Sequence, residues 1–214
     1  MMSTTTLVYA RPVTQPAAAR PYHHGNLRSA LLAQAERVVR DHGVAALSLR
    51  ELARSAGVSH AAPRRHFADK QALLDALAVE GFERLGRELE AALAEHREAE
   101  FGARLAAVAR AYVGFATRQA ALLDVMFAAK QRAPDATLRE ASGRAFAAVE
   151  ALIAEGQATG RLGRGDATVF GTALFGLLQG LAALRNSGML PAGDLDATVA
   201  DAIGRLLRGS VPPA

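Results

Sequence analysis

Between residues 47 and 70 the chain spells out two short helices and the turn between them, with little freedom in the spacing. Ser48-Leu49-Arg50-Glu51 fits a capping box, with Ser48 accepting from the Glu51 backbone N–H and Glu51 reaching back to Ser48. Leu52, Ala53 and Ala56 supply an apolar face. Gly57 then stops the helix, because glycine enters the left-handed region without strain. Val58 is placed to pack the turn on the core, and Ser59 to cap a further helix from His60 to about His66. Pro63 falls in that helix's first turn or just beyond, where a missing N–H does little harm. Two helices joined by Ala56-Gly57-Val58-Ser59 make a helix-turn-helix pattern.

The rest of the chain reads as helix too. Asn26 is a plausible N-cap, followed by Leu27, Leu31, Ala35 and Val38 on one face and closed by Asp41-His42-Gly43. Asp69 caps a helix carrying Leu73, Leu77, Leu85, Leu89 and Leu93 to about Glu95. Leu105, Val108, Tyr112 and Phe115 place one at 102–117, and Leu122, Val125 and Met126 another at 119–130. Pro134-Asp135 opens a long one with Ala145, Val149, Leu152 and Ile153, closed by Gly156 or Gly160. Asp166 starts an almost wholly apolar helix to about Asn186. Asp194 starts the last, with Val199, Ile203, Leu206 and Leu207, ending near Gly209. With 49 Ala, eight Pro and no period-two run of β-branched residues, the 214-residue chain is expected to be all-α. We expect about nine helices, in a three-helix helix-turn-helix part at 22–68 and a helical part at 69–214. The first 21 residues lack periodicity and a secretory h-region, and read as a disordered cytoplasmic tail.

Several function classes drop out. The absence of Cys removes disulfide frameworks, thiolate zinc sites and cysteine nucleophiles. Six His include no His-x-x-x-His pair, so no metal and no cofactor is expected. Gly160, Gly163 and Gly165 match neither a dinucleotide fingerprint nor a phosphate loop, and no nucleophile–base constellation stands out, so an enzyme is not expected. Charges are expected to interrupt every apolar stretch before it reaches the roughly 18 residues of a membrane span, so no membrane partner is expected.

The charge is unevenly spread. Residues 1–70 carry ten Lys or Arg against four Asp or Glu, and residues 71–214 fifteen against seventeen. A basic front on a mildly acidic rear suits a polyanion-binding head on a neutral body. In a helix-turn-helix the second helix enters the DNA major groove while the first braces it across the backbone. Here the second segment is short and basic: Ser59, His60, Ala61, Ala62, Pro63, Arg64, Arg65, His66. Its Ala side chains allow close approach, and its Arg side chains can fork onto guanine or grip phosphate. Arg65 reads equally well as a solvated charge on the far side.

Leu47-Ser48-Leu49-Arg50-Glu51-Leu52-Ala53, Ala56-Gly57-Val58-Ser59, His66-Phe67 and Asp69-Lys70-Gln71-Ala72-Leu73-Leu74 together resemble the tetracycline-repressor (TetR) family of transcriptional regulators. The match extends over roughly residues 22–80. Tyr22-His23-His24-Gly25-Asn26-Leu27-Arg28 and Ala62-Pro63 look like the branch whose C-terminal domain bears a Trp-His-Gly signature. Phe175, Gln179 and Gly180 fall at those signature positions, and only the glycine is kept. A second departure is Arg64, where the family usually has an aromatic. The resemblance implies that Ser48 and Lys70 hold phosphates and that Arg50, His60, Ala61 and Arg64 read base edges or backbone, while Ser48 also caps its helix.

The resemblance further implies a homodimer formed through the last two helices. Phe170, Gly171, Leu174, Leu178, Leu181, Ile203, Leu206 and Leu207 are the interface candidates, with intramolecular core as the other reading. It also implies an effector pocket in the C-terminal part. Tyr112, Phe115, Met126, Phe127, Phe146, Phe175 and Gln179 are its candidates, and their sparse charge suits an uncharged or lipophilic molecule. The expectation is a sequence-specific DNA-binding regulator on a palindromic double-stranded operator, a repressor released by a small apolar effector. The rival is a helical ligand-binding or scaffold protein without DNA binding.

Overall fold

Aspartate caps decide where three of the longest helices start. In the computed structural model, which describes residues 24–132, 134–163, 165–190 and 195–210, Asp69 accepts from the Ala72 N–H at 2.8 Å, opening α3 (Lys70–Glu95). Asp135 accepts from Leu138 at 2.8 Å, opening α6 (Ala136–Ala158), and Asp166 from Thr168 at 2.7 Å, opening α7 (Ala167–Asn186). Each satisfies one of the N–H groups that a helix start leaves without an intrahelical partner. The Thr168 N–H, with its side chain, holds the Asp166 carboxyl below the usual carboxylate range. The remaining helices are α1 (His24–His42), α2 (Leu49–Ser55), α4 (Phe101–Arg118), α5 (Ala120–Gln131) and α8 (Leu195–Ser210). No strand occurs among the described residues. The expected tail, and Asp194 as a cap, lie outside them.

Four local expectations are corrected. Helix α1 begins at His24, so Asn26 lies inside it and not at its cap. Ser48 sits at the N-cap of α2 in extended backbone, yet its side chain makes no capping bond. The Glu51 carboxylate is taken instead by Arg54, which donates through Nε at 2.9 Å, so the capping box does not close. The segment after the turn is not an α-helix but a 3-10 turn, Pro63–Arg65, which brings the number of α-helices among the described residues to eight. Proline has no N–H to give the Ser59 carbonyl four residues back. That carbonyl accepts from Ala62 at 2.9 Å, and Ala62 from Arg65 at 3.2 Å, which is the tighter i→i+3 pattern. Finally, residues 167–184 carry no charged side chain, so α7 is long and apolar enough to cross a membrane by length and composition, contrary to expectation.

Helix α3 is the axis of the molecule. Leu73, Leu77, Phe82, Leu85 and Leu89 are fully buried along it, against α4, α5 and α6. Two glycines set the helix spacing. A Cβ on Gly81 would stand 2.6 Å from the Met126 sulfur on α5, and one on Gly86 would stand 3.0 Å from the Ala145 Cα on α6. The second neighbour is backbone and has no rotamer to escape into. Gly86→Leu is therefore expected to lower the unfolding free energy by about 2–3 kcal/mol, as overpacking does, read from the denaturant midpoint at constant m-value. Helix α8 lies on α4, and α7 bridges α4, α6 and α8.

Candidate nucleic-acid interface and apolar cavity

The turn after α2 is built as its residues require. Gly57 has φ 67°, its N–H donates to Arg54 O at 3.2 Å, and the Val58 N–H reaches back to Ala53 O at 3.0 Å. This is a Schellman closure, and Val58 packs its side chain against the core beneath it. Leu52, Pro63 and Phe67 are buried on the inner side of the head. Arg28 lies 5.5 Å over the Phe67 ring, which serves as core and not as a stacking platform. A Gln34–Ser55 hydrogen bond ties α1 to α2.

With the inner side filled, the polar side chains point out. Arg50, Ser59, His60, Ala61, Arg64 and Arg65 are exposed, and Ser48, His66 and Lys70 are half-buried. Arg50, Arg64 and Arg65 have no carboxylate partner among the described residues, so their charge is unneutralised. The absent capping bond leaves the Ser48 hydroxyl uncommitted to its own helix. Lys70 Nζ donates to Ala45 O at 3.3 Å, which ties the start of α3 to the 3-10 segment (Val44–Ala46) leading into Ser48. Six of the nine expected readers are thus exposed, and three of those are arginines with no carboxylate partner among the described residues, a state compatible with phosphate and base-edge contacts.

The head is joined to the body by an ion pair that spans α1 and α3. Arg84 Nη1 donates to both Glu36 oxygens at 2.9 and 2.8 Å, with the side chains only 30 % and 18 % exposed. Arg28 and Glu80 repeat the link more loosely at 3.9 Å, and burial raises the Glu80 carboxyl above its usual value while Arg28 opposes the rise. On the far side of α3, Arg132 bonds Asp75 at 2.9 Å.

Further along the body lies a cavity of about 810 Å³. Of the ligand candidates, Tyr112, Phe127, Phe146 and Phe175 are among the residues that line it. Their rings meet edge-on: Phe127–Phe175 at 5.5 Å, Tyr112–Phe175 at 5.9 Å and Phe146–Phe175 at 6.4 Å. The other candidates go elsewhere. Phe115 and Met126 are fully buried core, Met126 in the notch that Gly81 leaves, and Gln179 is half-buried outside the lining. Gly171, Leu174 and Leu178, expected at an interface, line the cavity instead. Sequence reading missed Leu89, Val108, Lys130, Val149, Glu150, Ile153, Ala167, Thr168 and Thr172. Only helix phase could have flagged them, since α7 turns Thr168, Gly171, Thr172 and Phe175 to one side at spacings of three, one and three.

Of the remaining interface candidates, Leu181 and Ile203 are buried within the protomer, while Phe170, Leu206 and Leu207 are partly covered. The outward stripe of α7 is Val169, Ala173, Gly176, Gly180 and Leu184, with Val169 66 % exposed.

Known proteins share this fold. Residues 31–77 match the profile described as bacterial regulatory proteins, tetR family, and residues 105–207 the tetracyclin repressor-like C-terminal domain. A solved protein of unknown function from Rhodococcus sp. RHA1 is 44% identical, with 91% of this chain and 100% of that one covered at TM-score 0.81. A tetR-family bacterial regulatory protein from Rhodococcus RHA1 is 22% identical, covering 88% and 98% at TM-score 0.67. The TetR-family transcriptional regulator PfmR from Thermus thermophilus is 20% identical, covering 83% and 97% at TM-score 0.63. A comparison with curated protein sequences found no match.

Proposed function

The chain belongs to the tetR family of bacterial regulatory proteins, and from that membership we propose that it is a homodimeric repressor whose effector releases it from a palindromic operator. Proteins of this family are DNA-binding transcriptional regulators and not enzymes. In our reading residues 22–68 form the DNA-reading head and residues 69–214 the sensing and dimerising body. The observation that carries it is the reach of α3. It begins at Lys70 beside the exposed arginines and lines the cavity with Leu89, nineteen residues or about 28 Å further on. A molecule that prefers one placement of α3 biases the head by its difference in binding free energy between the two placements. The Glu36–Arg84 pair keeps the head in step with the helix.

Two heads on one dimer would engage half-sites about one helical turn or more apart. For the dimer we put forward the outward face of α7 together with Leu206 and Leu207 of α8. Small residues there permit close helix approach, and Val169 and Leu184 gain burial. Footprinting on the DNA upstream of the chain's own gene tests the regulator, and absence of any protected site refutes it. Light scattering at micromolar concentration tests the dimer, which a monomer mass refutes.

Lys70→Ala carries the phosphate role. It is expected to weaken binding alike on specific and unrelated DNA and to reduce the slope of log affinity against log salt by about 0.9. A loss confined to one operator base contradicts that role.

A further inference from the structure

The reading head meets the body through α1, which lies on α2 on one side and on α3 and α5 on the other. Leu27, Leu31, Leu32, Ala35 and Val39 fill its covered faces. Apolar contact has no direction, so it resists separation more than it resists sliding or turning. Charge supplies the direction. Arg84 Nη1 holds both Glu36 oxygens, and no other ion pair between α1 and α3 reaches hydrogen-bond distance among the described residues. On α3 the carboxylates of Glu80 and Glu88 stand one turn before and one turn after Arg84. A slip of α1 by one turn in either direction therefore takes Glu36 from its partner to the level of a like charge. Glu36 already acts on Glu80: burial chiefly raises the Glu80 carboxyl above its usual value, and the Glu83 and Glu36 charges add to the rise against Arg28 and Arg84. Nearer the start of α1, Arg28 lies over the ring of Phe67, which follows the 3-10 turn, and 3.9 Å from Glu80.

We infer that Glu36 and Arg84 are positioning residues for DNA recognition: with Arg28 and Glu80 they lock the head in one register on α3, and the lock makes binding selective for one half-site spacing. Moving a half-site by one base pair turns it by about 35° and shifts it by about 3.4 Å. A head that slides or turns on α3 absorbs part of that change, whereas a locked head loses its contacts. Specifying register at little net gain in stability is the best-attested use of a part-buried ion pair. The inference rests on the regulator reading and adds to it the contact that sets operator geometry.

Glu36→Met/Arg84→Met replaces the pair by apolar side chains and is expected to melt within about 3 °C of the wild type. Fluorescence anisotropy on the footprinted operator, and on a copy with one base pair inserted at its centre, reads the spacing penalty. The insertion is expected to weaken the wild type about a hundred-fold and the double variant about ten-fold or less. Arg104→Met/Glu155→Met, which removes an ion pair between α4 and α6 inside the body, is expected to keep the full wild-type penalty. A second measurement needs no DNA. The chain has no Cys, so Ala61→Cys and Ala91→Cys, both at exposed positions, place one spin label on the head and one on α3. With excess unlabelled chain to keep labelled protomers apart, pulsed electron resonance is expected to give one narrow distance distribution in the wild type and a broader one in the Met double variant. An equal spacing penalty in wild type and double variant, a lower melting temperature with the penalty unchanged, or equally narrow distance distributions each overturns the inference. If no DNA is protected, the regulator reading fails, and the distance widths still decide whether the pair locks the head.

Discussion

The double variant Arg50→Ala/Arg64→Ala is expected to bind operator DNA about a thousand-fold less tightly than the wild type, about 4 kcal/mol, with no loss of thermal stability. The two arginines lie on elements either side of the Gly57 turn, Arg50 in the first turn of α2 and Arg64 in the 3-10 turn, and both are exposed. Neither is held by a carboxylate among the described residues, so neither needs to be freed before it meets DNA. The same fact removes any stability cost, since exposed unpaired side chains contribute little to folding. An arginine that contacts a base edge or phosphate contributes about 1–3 kcal/mol, and two that are not in contact should add. Arg87→Ala is the matched control, an exposed arginine on α3 far from the turn, with an expected change below about two-fold. Fluorescence anisotropy at one fixed salt concentration reads all three. A loss below ten-fold in the double variant would remove this pair from the reading surface.

Phe82→Ala is expected to lower the unfolding free energy by about 4 kcal/mol, the usual range for deleting a buried phenyl ring. Phe82 is 0 % exposed and sits where α3, α5 and α6 converge. Its ring meets Phe127 at 6.0 Å and 88°, and Phe146 at 6.5 Å and 70°, both of which face the cavity from the other side. Its removal therefore leaves a void behind the cavity wall that three packed helices cannot close, and it loses two edge-to-face contacts as well. Equilibrium unfolding in guanidinium measures the loss. A value below about 1.5 kcal/mol would mean that the helices collapse onto the site and that the ring cluster is not a rigid wall.

Both effects depend on how the chain's local signals combine. Caps at Asp69, Asp135 and Asp166 were legible because a cap joins residues two or three apart and needs no other part of the protein. The Gly57 turn was legible for the same reason, and so was the cluster of cations around it. Where two local partners competed, the pattern misled. Glu51 had a choice between the Ser48 backbone and the Arg54 guanidinium, and it pairs with the opposite charge. At Pro63 the ring's missing N–H outweighed the helix signal of Ser59 and its following alanines, and the reading segment closed as a 3-10 turn. The cavity was half legible. Aromatic residues announced a cluster, but which of them stay open depends on what stands across from each. Met126 is driven into the notch at Gly81, a residue 45 positions away.

Helix type, helix order, the turn and the basic front end follow from the amino-acid sequence alone, since each rests on interactions within about one helical turn or on charge that no partner neutralises. The family resemblance lives in that same stretch. Tertiary structure alone decided three things: that Leu89 of α3 reaches the cavity, that Leu174 and Leu178 of α7 face inward while Val169 and Gly180 face out, and that the Tyr112 hydroxyl has no hydrogen-bond partner among the described residues. An apolar helix such as α7 has no polar face to fix its rotation, so only the neighbours packed against it choose which side is covered.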